Sequence, residues 1–172
     1  MLIQLVIFIV LSLLLLVFTL KRPHRHRFYR YFAFVSFLGI VLLNVDVWFR
    51  NPFSAVQIMS WLFLASSILI AIHGFRMLRL VGSPEGDIEN TTELVTRGAY
   101  KYIRHPIYCS LLLGGVGAFL KDPSLPGIII LLLLFSFVFA TAKVEENKNI
   151  ERFGEAYRAY VKQTKMFIPF LL

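Results

Sequence analysis

The residues from Leu2 to Leu20 form an almost unbroken apolar run at the start of the chain. At about 1.5 Å per residue, a helix of this length can cross the hydrocarbon core of a bilayer, which is about 30 Å thick. A secretory signal peptide is the alternative, but no basic segment precedes the run and no small-residue cleavage site follows it. The run therefore predicts a membrane-spanning helix.

The composition agrees with a membrane environment. Hydrophobic residues make up 58% of the 172 residues, charged residues make up only 16%, and 17 residues are Phe. These values lie far outside the range of soluble globular proteins. The single cysteine, Cys109, excludes an internal disulfide, so nothing indicates an oxidising compartment. We therefore expect an all-α, polytopic membrane protein.

Four further apolar runs follow the first one, at about 31–49, 54–75, 107–120 and 127–142. The last two flank a short polar turn and predict a helical hairpin, although the first arm of the hairpin is too short to cross a full bilayer untilted. We therefore predict five transmembrane helices in one membrane domain covering 1–172. Three N-terminal spans lie in 1–80, and the hairpin and an amphipathic tail lie in 81–172.

Polar and small residues inside two of these runs predict contacts between helices. The third run holds Gln57, Ser60, Ser66, Ser67 and His73. Such a set suggests a helix face that is turned to protein or to a polar cavity. The fourth run holds Gly114, Gly115 and Gly117, which would let another helix approach closely. Packing alone is sufficient to explain these glycines.

The distribution of basic residues predicts the orientation in the membrane. If the amino terminus is outside, 16 of the 18 Lys and Arg residues fall in cytoplasmic segments, and only Arg50 and Lys121 fall outside. The same asymmetry explains the net charge of +8 without a nucleic acid partner, because basic loops face anionic cytoplasmic lipid. The cytoplasmic set comprises Lys21, Arg22, Arg25, Arg27, Arg30, Arg76, Arg79, Arg97, Lys101, Arg104, Lys143, Lys148, Arg152, Arg158, Lys162 and Lys165.

The triplet Arg104-His105-Pro106 stands at the start of the fourth apolar run. Proline favours the first turn of a helix and biases the preceding residue away from helix, so we expect His105 at the mouth of this span. Helix amino ends attract anions, and Arg104 and His105 could therefore hold a carboxylate. The alternative is that both are ordinary interfacial anchors.

Two acidic residues, Glu145 and Glu146, follow the fifth run. Carboxylates at the end of a span are costly near hydrocarbon and usually mark a partner or a site. Their expected position at a helix carboxyl end is unfavourable for the helix dipole, which suggests a cationic or hydrogen-bonding neighbour. A solvated helix end explains the pair equally well.

These segments together resemble the C-terminal half of the integral membrane methyltransferases typified by isoprenylcysteine carboxyl methyltransferase and the phospholipid N-methyltransferases. The resemblance covers roughly 87–169, about half of the chain. The motifs that carry it are Leu94-Val95, Gly98-Ala99-Tyr100, Arg104-His105-Pro106-Ile107-Tyr108, Glu145-Glu146, Phe153-Gly154-Glu155-Ala156-Tyr157 and Pro169.

The resemblance implies transfer of a methyl group from S-adenosylmethionine to a lipophilic or membrane-embedded acceptor, at a cofactor site in the half 81–172. The family binds this cofactor without a Rossmann glycine loop, and the sequence contains no GxGxxG. By resemblance, the catalytic residues are Arg104, Glu145 and Glu146. The implied cofactor-binding residues are Thr92, Glu93, Leu94, Val95, Tyr100, His105, Pro106, Ile107, Tyr108 and Glu145. The tyrosines among them have an alternative role in the aromatic belt at the bilayer interface.

One departure from the family pattern leaves the acceptor open. Thr141 stands where the isoprenylcysteine enzymes carry an arginine that engages the substrate carboxylate, and residues four apart share a helix face, so we expect Thr141 beside Glu145 at the reacting group. Thr141 therefore argues against a carboxylate acceptor and leaves an amine, a thiol or another lipophilic nucleophile open. Ala99 and Ser110 are milder departures. Alternative functions are an NADPH-dependent reductase resembling the membrane sterol reductases and a non-catalytic scaffold.

Two other patterns favour membrane anchoring over chemistry. His24 and His26 have the spacing of metal ligands but lie in a run of basic residues, so no metal site is predicted. Tyr157 and Tyr160 lie in a basic, amphipathic tail and are interpreted as anchors at the membrane surface.

Overall fold

The computed structural model describes residues 2–20, 27–86 and 90–169, and His24, His26, Lys21, Arg22 and Arg25 lie outside these ranges. Within them the chain is helical, and β-pairing is limited to isolated bridges. The helices are α1 (Leu2–Leu20), α2 (Arg27–Leu43), α3 (Ala55–Leu80), α4 (Pro106–Phe119), α5 (Leu125–Phe153) and α6 (Glu155–Gln163). Short 3-10 turns lie at Val45–Val47 and Gly98–Lys101. The all-α prediction is confirmed.

Each predicted apolar run forms a helix, but the lengths differ. Among the described residues, α1, α3 and α5 are long and apolar enough to cross a membrane, so the chain is an integral membrane protein. Helix α2 has 17 residues and α4 has 14 residues. Helix α2 begins and ends earlier than expected because the chain leaves the helix at Asn44 and forms a 3-10 turn.

Helix α5 continues well beyond its apolar part. Its last residue is Phe153, whereas the apolar run ends near Ala142. The expectation that Glu145 and Glu146 lie at a helix carboxyl end is therefore wrong, because the helix makes about two more turns after them. The carboxylates belong to a helix interior, and neighbouring side chains rather than the dipole determine their environment.

The helices pack mainly as neighbouring pairs. Helix α3 packs against α4, α2 packs against α5, and α4 and α5 form the predicted hairpin. Helix α1 packs against α2, and most of its apolar side chains remain exposed, as expected for a helix surrounded by lipid. The buried core therefore lies around α2, α4 and α5, where Ala33, Leu134 and Val138 are almost fully enclosed.

The glycines of α4 lie where other helices approach it, as predicted. A Cβ on Gly115 would lie 2.4 Å from Leu134 Cδ2, and one on Gly117 would lie 2.8 Å from Leu64 Cγ. Ser60 and Ser67 of α3 face the same helix, because Ser60 Oγ donates to the Gly117 carbonyl at 2.7 Å and Ser67 Oγ donates to the Ser110 carbonyl at 2.8 Å. Ser66 differs from them and is exposed. The predicted polar face of the third run is therefore turned to protein.

The turn between α4 and α5 is fastened to α3 by a buried lysine. Lys121 is only 4% exposed, its Nζ lies 3.2 Å from the ring centre of Trp61, and it donates to Gln57 Oε1 at 3.1 Å. Gln57 Nε2 in turn donates to the Lys121 carbonyl at 2.8 Å. A cation over an aromatic face gains electrostatic attraction that compensates for part of its lost hydration. Lys121 is thus a structural residue of the hairpin rather than a free loop charge.

Candidate active site

A cavity of about 380 Å³ lies among the helices and the segment that precedes α4. Helices α1 to α3 contribute Leu15, Phe18, Thr19, Arg30, Phe34, Phe75 and Leu78. The segment before α4 and the first turn of α4 contribute Thr91, Leu94, Val95, Tyr100, Arg104, His105, Ile107 and Tyr108. Helices α5 and α6 contribute Glu145, Lys148, Asn149, Phe153, Tyr157 and Tyr160. The wall from α1 to α3 is mostly apolar, and the remaining wall is largely polar and aromatic.

The segment before α4 is fixed to α3 by a histidine. His73 Nε2 accepts a hydrogen bond from the Ala99 amide at 3.1 Å. The preceding Gly98 has a φ of +61°, which favours glycine, and a Cβ there would lie 2.4 Å from His73 Nε2. This local geometry begins the short 3-10 turn that buries Tyr100 at the cavity.

The chain after α6 returns to the same place and pairs with the segment before α4. The Arg104 amide donates to the Lys165 carbonyl at 2.7 Å, and the His105 amide donates to the Met166 carbonyl at 3.2 Å. The Lys165 amide donates to the Tyr102 carbonyl at 3.1 Å. These bonds fix the backbone of Arg104 and His105 directly before the helix that Pro106 begins.

Arg104 is enclosed by acceptors from the chain itself. Its Nε donates to Glu146 Oε1 at 2.6 Å, and both side chains are less than a tenth exposed. Its Nη1 donates to the carbonyls of Thr164 at 2.5 Å and Val161 at 3.3 Å. Glu146 Oε2 also accepts from Lys143 Nζ at 3.2 Å. Arg104 therefore joins α5 to the chain around the end of α6, and its guanidinium is already engaged on several sides.

His105 lies between the two carboxylates. Its Nδ1 is 3.7 Å from Glu145 Oε2, and its Nε2 is 3.7 Å from Glu146 Oε1. Both distances exceed a hydrogen bond, and the buried Nε2 has no hydrogen-bond partner among the described residues. Burial lowers the pKa of His105 below its usual value, although the Glu146 carboxylate opposes this shift. The imidazole is therefore neutral at pH 7, with a buried nitrogen able to bind a ligand group.

Tyr108 and Glu145 form a hydrogen-bonded pair, in which the tyrosine hydroxyl donates to Glu145 Oε1. Tyr108 lies in the first turn of α4 and faces Glu145, which lies in the interior of α5. Arg30 of α2 interacts electrostatically with Glu145 as well. The pair therefore lies where α2, α4 and α5 meet at the cavity.

Tyr100 and Tyr160 complete the polar wall. The Tyr160 hydroxyl donates to the Tyr100 carbonyl at 2.5 Å. Burial raises the pKa of both phenols, so both are protonated at neutral pH. Tyr157 is only 2% exposed, and burial raises its pKa to about 12. The interpretation of Tyr157 and Tyr160 as membrane-surface anchors is therefore wrong, because α6 turns its aromatic face inward and closes the site.

Most, but not all, of the residues expected in a cofactor site line the cavity. Eight of them do so: Leu94, Val95, Tyr100, Arg104, His105, Ile107, Tyr108 and Glu145. Thr92 and Glu93 are exposed and lie outside the lining, and the Thr92 hydroxyl donates to the Ser83 carbonyl at 2.9 Å. Pro106 and Glu146 are buried and also lie outside the lining.

Thr141 does not face the cavity. It is fully buried, and its hydroxyl donates to the Phe137 carbonyl at 2.7 Å within α5. The expectation that Thr141 lies beside the reacting group is therefore wrong. Thr141 is enclosed on α5 next to the core residue Ala142, whereas Glu145 lines the cavity.

Several lining residues were not expected from the sequence. Lys148 and Asn149 lie three and four residues after Glu145, and that spacing on one helix face is a signal that could have found them. Arg30, Phe18 and Phe34 carry no comparable signal, because basic and apolar residues are ordinary in and beside a span. Among the described residues, no group of three or more His, Cys, Asp or Glu comes together that could hold a metal ion.

Comparison with known proteins identifies the family. The phospholipid methyltransferase family model matches residues 55–156, more than half of the chain. The chain belongs to the phospholipid methyltransferase family. The matched residues contain α3, α4, α5 and all the carboxylates of the site. The resemblance expected from the motifs is confirmed, and this family assignment favours methyl transfer over the reductase and scaffold alternatives.

Individual proteins that resemble this family member share about a third or less of the aligned residues. Methanethiol S-methyltransferase 1 of Bradyrhizobium diazoefficiens is 27% identical over 118 residues, covering 66% of this chain and 40% of that protein. A methanethiol S-methyltransferase of Pseudomonas is 29% identical over 72 residues, covering 41% of this chain and 26% of that protein. The nickel-cobalt-cadmium resistance protein NccN of Alcaligenes xylosoxydans is 32% identical over 79 residues, covering 46% of this chain and 37% of that protein. The chain thus spans less than half the length of these relatives.

Proposed function

We propose that this protein transfers a methyl group from S-adenosylmethionine to a lipophilic acceptor, and that the cavity holds the cofactor. The observation that carries the proposal is the convergence of the family motifs on one cavity. The segment around Tyr100, the first turn of α4 and the Glu145 face of α5 are far apart in sequence but line the same cavity. Transfer in such a site depends mainly on alignment and on exclusion of water.

The residues present fit the chemical groups of this cofactor. Its ammonium and ribose hydroxyls would be held by the Glu145 carboxylate, and the buried Nε2 of His105 offers a further hydrogen-bonding atom. The rings of Tyr100 and Tyr108 would cover its base and its cationic centre, since an aromatic face stabilises positive charge. When bound, S-adenosylmethionine supplies a methyl group that leaves its sulfonium sulfur, with the electron pair of the broken bond staying on that sulfur.

The remaining expected residues have supporting roles in the proposal. Leu94, Val95 and Ile107 line the cavity beside the proposed cofactor. Arg104 and Glu146 hold His105 in place through their ion pair rather than by contact with the reacting atoms. Pro106 would support the wall from behind, and the exposed Thr92 and Glu93 would have no direct contact with the cofactor.

We infer an orientation with five spans, the amino terminus outside and the cavity at the cytoplasmic side. Helices α2 and α4 would be the shorter spans, completed by the turns that flank them. The count of basic residues supports this orientation, because 16 of the 18 fall in segments that it makes cytoplasmic. A soluble cytosolic cofactor then has access, and an apolar acceptor has access from the bilayer. The domain remains one unit over 1–172, with the cofactor bound mainly by 81–172.

A thiol is the acceptor that we favour. Two relatives are named for methanethiol, and the cavity of about 380 Å³ is near the lower end of the usual range of ligand pockets, roughly 300–1,000 Å³. Such a space suits the cofactor together with a small reactive group rather than a whole lipid. The apolar wall from α1 to α3 suits an apolar substituent. Amines and carboxylates are the alternatives that the same assay must include.

Binding of S-adenosylmethionine or its demethylated product to purified protein tests the proposal. We expect Glu145→Gln or His105→Asn to weaken binding about ten- to a hundredfold, since one charge-assisted contact contributes roughly 1.5–3 kcal/mol. The matched control is Glu155→Gln, the same chemical change at a side chain that is 91% exposed. Unchanged binding in the folded Glu145 and His105 variants would remove these residue assignments, and absence of binding by folded wild-type protein would remove the cofactor.

A further inference from the structure

Arg30 is a buried charge at the cavity that the cofactor proposal does not use. It is the fourth residue of α2 and is only 9% exposed. Among the described residues that line the cavity, it is the one charged side chain that α1 to α3 contribute. Its neighbours in that wall include Phe18 and Phe34. A cation in such apolar surroundings is costly and usually marks a partner or a site.

Arg30 lies beside the hydrogen-bonded pair of Tyr108 and Glu145. Its side chain interacts with the Tyr108 hydroxyl and with the Glu145 carboxylate. The other lining cations have different tasks: Arg104 pairs with Glu146 at 2.6 Å, and Lys148 donates to Asn90 Oδ1 at 3.0 Å. Arg30 therefore brings positive charge to the junction of the apolar wall and the Tyr108–Glu145 pair.

Arg30 also lies outside the part of the chain that the family model matches, which begins at residue 55. The matched part contains the proposed cofactor residues, whereas α1 and α2 contribute most of the apolar wall. Among the described lining residues of α1 and α2, Arg30 is the charged one.

We propose that Arg30 binds the acceptor as an anion and thereby selects a thiol that reacts as its thiolate. This inference rests on the proposed function. The acceptor's S–H bond breaks, the proton passes to water, and the electron pair stays on sulfur as the nucleophile, with Glu145 still ionised. A thiolate is the reactive form of a thiol, and an adjacent guanidinium favours it, whereas an apolar wall alone would favour the neutral thiol.

The first experiment measures ionisation of a bound thiol without cofactor. Benzenethiol is the probe, because its thiolate absorbs at longer wavelength than the thiol. At a pH well below the pKa of the free probe, where the free probe is neutral, we expect wild-type protein to bind it largely as thiolate. We expect Arg30→Gln to shift the bound probe at least tenfold toward neutral thiol and Arg30→Lys to restore much of the thiolate. The control is Arg27→Gln, one turn earlier on α2 at an exposed position, which should leave the spectrum unchanged.

The second experiment separates acceptor binding from cofactor binding. We expect Arg30→Gln to lower the rate of benzenethiol methylation about ten- to a hundredfold and to change the affinity for the demethylated cofactor much less. Equal loss of cofactor affinity would assign Arg30 to the cofactor and overturn the inference. An unchanged thiolate fraction in Arg30→Gln, or methylation of amines alone, would also overturn it. Failure of the proposed function is distinct, because folded wild-type protein would then bind no cofactor at all.

Discussion

Arg104 and Glu146 show how a single ion pair can hold a site together. Both side chains are less than a tenth exposed, and the pair is completed by the Thr164 and Val161 carbonyls and by Lys143. Removing one partner from such a pair leaves an uncompensated buried charge, whereas replacing both by apolar groups does not. Replacing Arg104 alone should therefore destabilise the protein more than replacing Arg104 and Glu146 together.

We expect Arg104→Met to destabilise the folded protein by about 3–5 kcal/mol and the double variant Arg104→Met/Glu146→Leu to recover most of that loss. Arg158→Gln is the control, because Arg158 pairs with Glu155 at 3.2 Å while both side chains are largely exposed. Thermal unfolding in detergent measures the difference. A single Arg104 variant that is no less stable than the Arg158 variant would show that the buried pair does not hold the site together.

For single residues, the motifs predict which side chains come together at the site but not the role of each. The Arg104-His105-Pro106 and Glu145-Glu146 motifs both reach the site, yet Glu145 faces the cavity while Glu146 is taken up by Arg104. That division depends on a rotation of about 100° between consecutive helix residues, which a sequence pattern does not resolve. Arg30 is reached only through the packing of α2 on α5, a contact between distant parts of the chain.

Close packing of α4 on its neighbours is the main feature at the scale of elements. A Cβ on Gly117 would lie 2.8 Å from Leu64 Cγ and 3.1 Å from the Leu64 backbone nitrogen. Backbone cannot move aside as a side-chain end can. Gly39 of α2 is different, because the nearest atom to its added Cβ would be a Phe8 side-chain carbon at 3.6 Å, an ordinary contact distance.

Gly117→Ala is therefore expected to destabilise the protein by about 1–3 kcal/mol through overpacking, and Gly39→Ala is expected to be nearly neutral or slightly stabilising. Thermal unfolding of both variants in the same detergent compares them directly. Equal stability of the two would mean that α3 and α4 are further apart than the structure has them.

The elements themselves were largely predictable, and their ends were less so. Apolar runs located the five hydrophobic helices, because burial in lipid requires continuous apolar sequence. Continuous apolar sequence predicts an end of the fifth helix near Ala142. The helix instead continues to Phe153, through polar residues that face the site. Helix α6 was recognised as amphipathic, but the sequence alone did not tell whether its tyrosines face lipid or protein.

For the whole molecule, orientation in the membrane is the prediction on which access to the site depends. We expect a reporter fused after Leu172 to be cytoplasmic and one inserted after the exposed Asp122 to be external, because 16 of 18 basic residues then face the cytoplasm. Compartment-specific reporter activity in intact cells measures both. Two reporters on the same side would contradict the five-span arrangement and remove cytosolic access to the cavity.

Methyl transfer from S-adenosylmethionine is the reaction that we propose for this cavity. The most direct measurement is transfer of a labelled methyl group from S-adenosylmethionine to benzenethiol, an alkyl amine or an alkyl carboxylate, by membranes that contain the full chain. We predict saturable formation of an extractable methylated thiol, reduced at least tenfold by Glu145→Gln and unaffected by Glu155→Gln. Absence of labelled product from all three acceptors, with folded wild-type protein and cofactor in excess, would contradict the account.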